Sequence, residues 1–207
     1  MSTSTLFGLL RHGQTIWNTQ KRVQGRLDSP LTPDGIEAVQ KWARFLASPR
    51  WQWSRIITSP APRARTTAQL INNSLCLEIH EEPDLSEQDW GIWEGLTWSE
   101  IRRDSAEEVQ TQVDRGWSFR PPEGESRLEV HKRARSVLSH FGRRYPGEQI
   151  LVITHQGVIK SLVYAIEKRK FLPQEPELID KNSLQTVSCC NDTLTGFAYN
   201  ISPAQVP

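Results

Sequence analysis

Two uninterrupted apolar runs dominate the hydrophobic pattern of the chain, at residues 6–10 and 150–154. Neither run alternates with polar residues, which is typical of strands buried on both faces of a sheet. Polar side chains follow each run at once: Arg11 and His12 after the first, His155 after the second. The pattern therefore predicts two central strands whose carboxyl ends carry histidines.

Helical periodicity fills most of the chain between and after these strands. Four apolar stripes recur at helical spacing: Ile36, Val39, Ala43 and Leu46; Ala64, Thr67, Ala68, Ile71 and Leu75; His131, Ala134, Leu138, Phe141 and Tyr145; Val158, Ile159, Leu162, Val163 and Ile166. Thr32 before Pro33 has the residue types of a helix N-cap and first helical position. Thr97 with Glu100 predicts a capping box for a short helix, and residues 106–115 predict an exposed helix.

Shorter strands are predicted at residues 55–58 and 77–79, and a hairpin at 184–199 turns at Asn191-Asp192. The alternation of strands and helices predicts an α/β protein with three layers, α/β/α, around a mainly parallel sheet with an antiparallel edge. A length of 207 residues suits one domain spanning 1–207. Residues 90–122 show no strand pattern and are predicted to form a lid-like insertion.

The composition and net charge of the chain limit the kinds of molecule that it is expected to bind. A net charge of +1 gives no reason to expect nucleic acid or a membrane surface, and no apolar run approaches the ~20 residues of a membrane span. Met1 to Thr5 lack the features of a signal peptide. Three cysteines, two of them adjacent at Cys189 and Cys190, suit reduced thiols in a cytoplasmic protein.

The two strand-end histidines are expected to lie near two arginines. If both central strands are parallel neighbours, His12 and His155 lie roughly 5–10 Å apart. Arg11 adjoins the first, and Arg63 is expected in the first turn of a helix that follows a third strand at the same edge. A phosphomonoester carries about two negative charges, which guanidinium groups offset, while a neutral imidazole is a nucleophile for phosphorus. The residues predict phosphoryl chemistry without a metal, because the arginines would repel a cation.

An alkoxide leaving group also needs a proton, which a carboxylic acid near the pocket would supply. Glu87 is the best candidate, because it follows a predicted strand end and precedes a turn. Asp84, Asp89 and Glu94 are competitors that spacing does not exclude.

Four motifs carry a resemblance to a known family. They are Arg11-His12-Gly13-Gln14-Thr15 with Trp17-Asn18 and residues 22–32; Ser59-Pro60 with Arg63-Ala64 and Thr67-Ala68; Leu85-Ser86-Glu87 with residues 91–95; and Thr154-His155-Gln156-Gly157. In this order they resemble the histidine phosphatase superfamily, the phosphoglycerate mutase-like proteins, over residues 6–165. The length is similar to that of its shorter phosphatase branch, which includes broad-specificity enzymes and α-ribazole phosphatase.

The resemblance implies a phosphoglycerate mutase-like fold and a role for each matching residue. It implies catalysis by His12 as phosphorylated nucleophile, Glu87 as proton donor and His155; phosphate binding by Arg11, Arg63, Asn18 and His155; and substrate binding by Arg22, Gln24 and Gln156. Gln156 departs from the family pattern, in which a second glycine is usual at that position. No metal and no organic cofactor is expected.

Several alternatives stay open. The favoured function is hydrolysis of small-molecule phosphomonoesters, against a cofactor-dependent phosphoglycerate mutase or a non-catalytic module that binds a phosphate ligand. The tryptophans at 90, 93, 98 and 117 either line a substrate pocket or, as favoured here, pack the insertion onto the body. The basic cluster Lys132-Arg133 with Arg135 is predicted to be a solvated helix face. The edge hairpin offers a surface for a homodimer.

Overall fold

The two apolar runs form adjacent central strands of one six-stranded sheet. A computed structural model describes residues 3–203, so Met1, Ser2 and residues 204–207 lie outside the description. The strands are β1 (Thr5–Arg11), β2 (Trp53–Thr58), β3 (Glu78–Glu81), β4 (Gln149–Thr154), β5 (Leu184–Cys190) and β6 (Thr193–Ile201). Their order is β3-β2-β4-β1-β5-β6. The first four strands in that order are parallel, and β5 and β6 are antiparallel, which confirms the predicted sheet.

Seven helices surround or extend this sheet within residues 3–203. They are α1 (Ile16–Thr19), α2 (Pro33–Leu46), α3 (Pro62–Leu75), α4 (Trp98–Asp104), α5 (Ala106–Asp114), α6 (Arg127–Arg144) and α7 (Gln156–Ile166). The Thr32 hydroxyl accepts the cap hydrogen bond of α2, and Thr97 with Glu100 forms the predicted capping box of α4. Within the same residues, none of these helices has the length and apolar character to span a bilayer.

The central strands β1 and β4 are buried on both faces, and side-chain alternation divides the core in two. Ile150 and Val152 of β4 face one cluster, which includes α6 and α7 residues, whereas Leu151 and Ile153 face the cluster that α2 and α3 close. All four side chains are fully or almost fully buried. The absence of polar alternation in the sequence follows directly from this three-layer packing.

The segment between β3 and α6 builds a small core of its own. The buried side chains of Trp93, Ile101, Val109 and Phe119 meet Val23 from the loop before α2. Trp93 is buried in this cluster, as the favoured packing role for the tryptophans requires. Trp90 and Trp98 are only partly buried, so they are also able to meet a bound molecule.

Two local expectations are wrong. Residues 17–32 have little helical or strand periodicity, which predicts a loop, but a short helix, α1, covers residues 16–19 because Thr15 and Asn18 form a capping box. Ile36, placed on the buried stripe of α2, is 36% exposed, and Trp42 is buried instead. The buried stripe of α2 therefore begins one turn later than the periodicity indicated.

Gly35 allows the first turn of α2 to approach the backbone that follows β1. A Cβ atom at this position would lie 2.3 Å from the Gln14 carbonyl oxygen. We expect Gly35→Ala to lower the free energy of unfolding by about 1–3 kcal/mol, although alanine in a helix normally gains up to ~1 kcal/mol over glycine. Urea denaturation measures the change, with the solvent-facing Gln40→Ala as control. Unchanged or higher stability of Gly35→Ala would contradict the close packing.

Candidate active site

The sheet topology brings the two strand-end histidines together. Arg11 pairs with Thr154 in the parallel register of β1 and β4, so His12 and His155 each lie one residue beyond that pair. Their ring centroids are 5.2 Å apart, with an interplanar angle of 61°. Both side chains are buried, at 5% and 0% exposure.

Arg63 is fixed in the first turn of α3, beside these rings. Its Nη2 group donates to Nδ1 of His155 at 3.2 Å and to the Gly25 carbonyl at 2.9 Å. Its Nη1 group donates to the Leu27 carbonyl at 2.8 Å and to Oδ1 of Asp28 at 2.9 Å. Because one buried guanidinium connects the histidine to the 25–28 loop, it sets the position of both.

The environment of His12 determines its charge and its tautomer. Burial, followed by the charges of Arg11 and Arg63, holds the pKa of His12 well below its ordinary value, so the ring is neutral. Nδ1 of His12 lies 2.8 Å from the Gly13 carbonyl oxygen, which only accepts, so Nδ1 carries the proton. The lone pair is therefore on Nε2, the atom with which a neutral imidazole attacks.

His155 has the opposite tautomer. Burial and then the charge of Arg63 hold its pKa well below the ordinary value. Nδ1 accepts from Arg63, so the ring proton is on Nε2, which donates to the Ser59 hydroxyl at 2.7 Å. Ser59 lies directly after β2, and this position is the one signal in the sequence that could have indicated its contact with His155.

The low pKa values of both histidines make stability depend on pH. The unfolded chain binds protons at an ordinary histidine pKa of about 6.5, and the folded chain does not, so stability falls as pH drops below 6.5. We expect a loss of up to about 1.4 kcal/mol per histidine per pH unit. Urea denaturation at pH 7.5 and 5.5 measures this loss, and His12→Gln should have a smaller pH dependence than the parent chain. Equal pH dependence would contradict a buried neutral His12.

Arg11 contributes a second guanidinium. Burial lowers the pKa of Arg11. The charge of the nearby Glu87 carboxylate raises this pKa, and the charge of Arg63 lowers it further. The Nε groups of Arg11 and Arg63 are both buried and have no hydrogen-bond partner within the described chain. Arg11 and His12 line an open cavity of about 1360 Å³. Neither Arg63 nor His155 lines this cavity or the one beside Glu87. A buried N–H donor on a cationic group that lines a cavity, as Arg11 does, suits an anion with several acceptor oxygens.

Glu87 faces a second cavity, of about 410 Å³, which Gln156 and Trp98 share with the first. Its Oε2 atom accepts from the Gly157 backbone at 3.3 Å, and its Oε1 atom accepts from the Gln88 backbone at 2.9 Å. The carboxylate is thus held against the first turn of α7, next to His155.

The three competing carboxylates are placed differently. Oε1 of Glu94 accepts from the Arg26 and Trp90 backbones at 2.7 and 3.1 Å. Asp89 accepts from the Gly91 backbone at 2.8 Å, and Asp84 is exposed. None of the three lines the two cavities that meet at Gln156 and Trp98.

Arg133 has a structural role that the sequence pattern does not indicate. The prediction of a solvated face is wrong for this side chain, which is only 12% exposed. It donates to the backbone carbonyls of Asp84 at 2.6 Å and Glu87 at 3.2 Å, and it pairs with Glu125 at 2.7 Å. Arg133 therefore holds the segment that presents Glu87.

The remaining predicted residues fall into two groups. Asn18, Arg22 and Gln156 line the larger cavity, and the Nε2 group of Gln156 is buried without a partner in the described residues. Arg22 also donates to the Gly95 carbonyl at 2.7 Å, which connects its loop to the insertion. Gln24 does not line either cavity; its Oε1 atom accepts from Asn18 at 3.2 Å, so the structure places it behind Asn18.

Within residues 3–203, no three histidine, cysteine, aspartate or glutamate side chains are grouped to hold a metal ion. The positive groups Arg11 and Arg63 instead make the centre of the site suitable for an anion.

Comparison with known proteins agrees with the fold and the motif order. Residues 7–200 match the model of the histidine phosphatase superfamily, branch 1, and the chain belongs to this family. It is 30% identical over 182 residues to "Uncharacterized phosphatase PhoE" of Bacillus subtilis (strain 168), covering 88% of this chain and 83% of that protein. Some other relatives are longer, and the chain covers 44% of their length.

Two further relatives are informative. The structure of YhfR of Bacillus stearothermophilus superposes with a TM-score of 0.86 at 28% identity, covering 96% of this chain and 98% of that one. The "Metal-independent phosphoserine phosphatase" of Arabidopsis thaliana is 30% identical over 160 residues, covering 76% of this chain and 67% of that protein. The phosphoglycerate mutase-like fold expected from the motifs is confirmed.

Proposed function

We propose that the protein hydrolyses small-molecule phosphomonoesters through a phosphohistidine on His12. The observation that carries this proposal is the neutral, buried His12, whose Nε2 lone pair is available beside the guanidinium groups of Arg11 and Arg63. Relatives named as phosphatases support hydrolysis as the reaction.

The first step transfers the phosphoryl group to the protein. Nε2 of His12 forms a bond to phosphorus as the bond from phosphorus to the ester oxygen breaks, and Glu87 gives its proton to that oxygen. Arg11 and Arg63 offset the charge on the transferred group. His155 can donate its Nε2 proton to a phosphoryl oxygen only after the hydrogen bond from Nε2 to the Ser59 hydroxyl breaks.

The second step regenerates the site. The Glu87 carboxylate accepts a proton from water as the water oxygen bonds to phosphorus, and the bond to Nε2 of His12 breaks. Inorganic phosphate leaves, with His12 neutral and Glu87 protonated as at the start. Asn18 would contact the phosphoryl group, and Arg22 and Gln156 would contact the substrate from the cavity wall. Gln24 would act by holding Asn18.

Hydrolysis of phenyl phosphate without 2,3-bisphosphoglycerate tests the proposal. We expect stoichiometric release of phenol and inorganic phosphate, and inorganic phosphate from 3-phosphoglycerate if that compound is accepted. Interconversion of 3- and 2-phosphoglycerate without net phosphate release would show a mutase instead. Binding of inorganic phosphate with no turnover of any phosphomonoester would show a binding module.

Glu87→Gln should separate the proton transfer from the binding of phosphate. We expect kcat/KM for phenyl phosphate, which reports only the step in which Glu87 donates its proton, to fall by about 10²–10⁴-fold. The loss should be smaller for 4-nitrophenyl phosphate, whose leaving group needs the proton less. Asp84→Asn, at an exposed carboxylate nearby, is the control and should leave both rates unchanged. Equal losses for the two substrates would show that Glu87 is not the proton donor.

A further inference from the structure

The cavity beside Glu87 has walls suited to an organic leaving group. Its volume of about 410 Å³ lies within the range of pockets for small molecules. Four aromatic side chains line it: Trp90, Trp98, Tyr164 and Phe171. Glu87 and Gly157 line it as well, so a molecule whose ester oxygen faces Glu87 would extend between these rings.

One wall residue, Arg127, is a partly buried cation beside two aromatic rings. Its guanidinium carbon lies 4.2 Å from the ring centroid of Phe119 and 4.7 Å from that of Phe171. Nη1 donates to the carbonyls of Gly116 and Phe171 at 3.1 and 3.2 Å. Burial lowers the pKa of Arg127 to about 10, so the group stays protonated at neutral pH. Its Nη2 and Nε groups donate no hydrogen bond to any residue from 3 to 203.

The other charged groups of this cavity, apart from the proposed acid, already have partners. Lys160 pairs with Glu177 at 2.7 Å. Glu175 accepts hydrogen bonds from the backbone of residues 170–172. No carboxylate of the described chain forms an ion pair with Arg127. Arg127 is therefore a cation in the cavity wall with no counter-charge among residues 3–203, and it is available to an anion that binds there.

We propose that Arg127 recognises a carboxylate on the leaving group, whose planar or aromatic part lies between the aromatic walls. This inference rests on the proposed function, because it requires Glu87 to face the ester oxygen. Guanidinium groups bind carboxylates through charge-assisted, paired hydrogen bonds, and Arg127 has unused donors for them. The preferred substrates are therefore phosphomonoesters of carboxylated, ring-containing alcohols or phenols. Arg127 determines specificity and takes no part in the bond-breaking steps.

Two matched substrates test the proposal: 4-carboxyphenyl phosphate and its neutral amide isostere, 4-carbamoylphenyl phosphate. For the parent protein, we expect kcat/KM for the acid to exceed that for the amide by about 10-fold or more. Arg127→Met keeps the apolar stem and should reduce this ratio to about 1. Arg127→Lys keeps the charge and should retain part of the preference. Arg120→Met is the control, because Arg120 is exposed and pairs with Glu129, and its ratio should equal that of the parent.

The outcomes separate this inference from the proposed function. A parent protein that hydrolyses both substrates without preferring the acid overturns the role of Arg127, whatever the variants do. An Arg127→Met protein that loses activity equally on both substrates shows that Arg127 only supports the loops around Gly116 and Phe171. Absence of turnover on every phosphomonoester overturns the proposed function, and the inference with it. Thermal melting of each variant shows whether it has folded.

Discussion

His12→Ala lowers the turnover of phenyl phosphate by about 10⁴-fold or more while the protein remains folded. Alanine has no atom that can bond to phosphorus, so the covalent step is lost outright. The neighbouring Arg11 and Arg63 remain, so inorganic phosphate should still bind. Steady-state kinetics measures the loss, and isothermal titration with inorganic phosphate measures the binding that persists.

His140→Ala is the matched control for this variant. His140 is exposed on α6 and lines neither cavity of the site. We expect it to keep the parent activity. If His12→Ala kept more than about a tenth of the parent rate, His12 would not be the nucleophile.

Arg63→Met should lower both activity and stability. It removes hydrogen bonds to Gly25, Leu27 and Asp28 and leaves the buried Gly25 carbonyl and Nδ1 of His155 without this donor, which we expect to cost about 2–4 kcal/mol of unfolding free energy. Activity should fall by about 10³-fold or more, because a positive charge near His12 is lost and His155 loses the donor to its Nδ1. Urea denaturation and steady-state kinetics measure the two effects.

Arg63→Lys keeps the variant testable if the methionine form does not fold. Lysine retains the positive charge but lacks the planar set of N–H donors of the guanidinium group, so we expect an intermediate activity. Arg65→Met is the control: Arg65 lies two residues further along α3, is half exposed and pairs with Glu81 on the surface. We expect Arg65→Met to change stability by less than about 1 kcal/mol. Equal effects of Arg63→Met and Arg65→Met would contradict the structural role of the Arg63 guanidinium.

The sequence predicted the sheet and most helices because their causes are local. Burial on both faces removes polar alternation from β1 and β4, and caps such as Thr32 act within three or four residues. The short helix α1 was missed, because four residues show no periodicity and only the Thr15–Asn18 capping box defines it.

The contacts of the site were less predictable, since they join distant parts of the chain. The hydrogen bond from His155 to Ser59 spans 96 positions, and that from Arg63 to Asp28 spans 35. Such pairs depend on how loops fold over the sheet edge, which no local pattern encodes. Arg133 shows the same limit, because a charged residue on a helix is usually solvated, and only the packing of α6 against the Glu87 segment buries it.

The central claim is that His12 carries the phosphoryl group between the two steps. Rapid quenching in alkali during turnover of labelled phenyl phosphate, followed by peptide mapping, tests it most directly, because phosphohistidine survives alkali. The account predicts an alkali-stable, acid-labile phosphoryl group on His12, at no more than one per chain, and none on the His12→Ala variant. A phosphoryl group on Ser59 or His155, or hydrolysis with no covalent intermediate under single-turnover conditions, would contradict it.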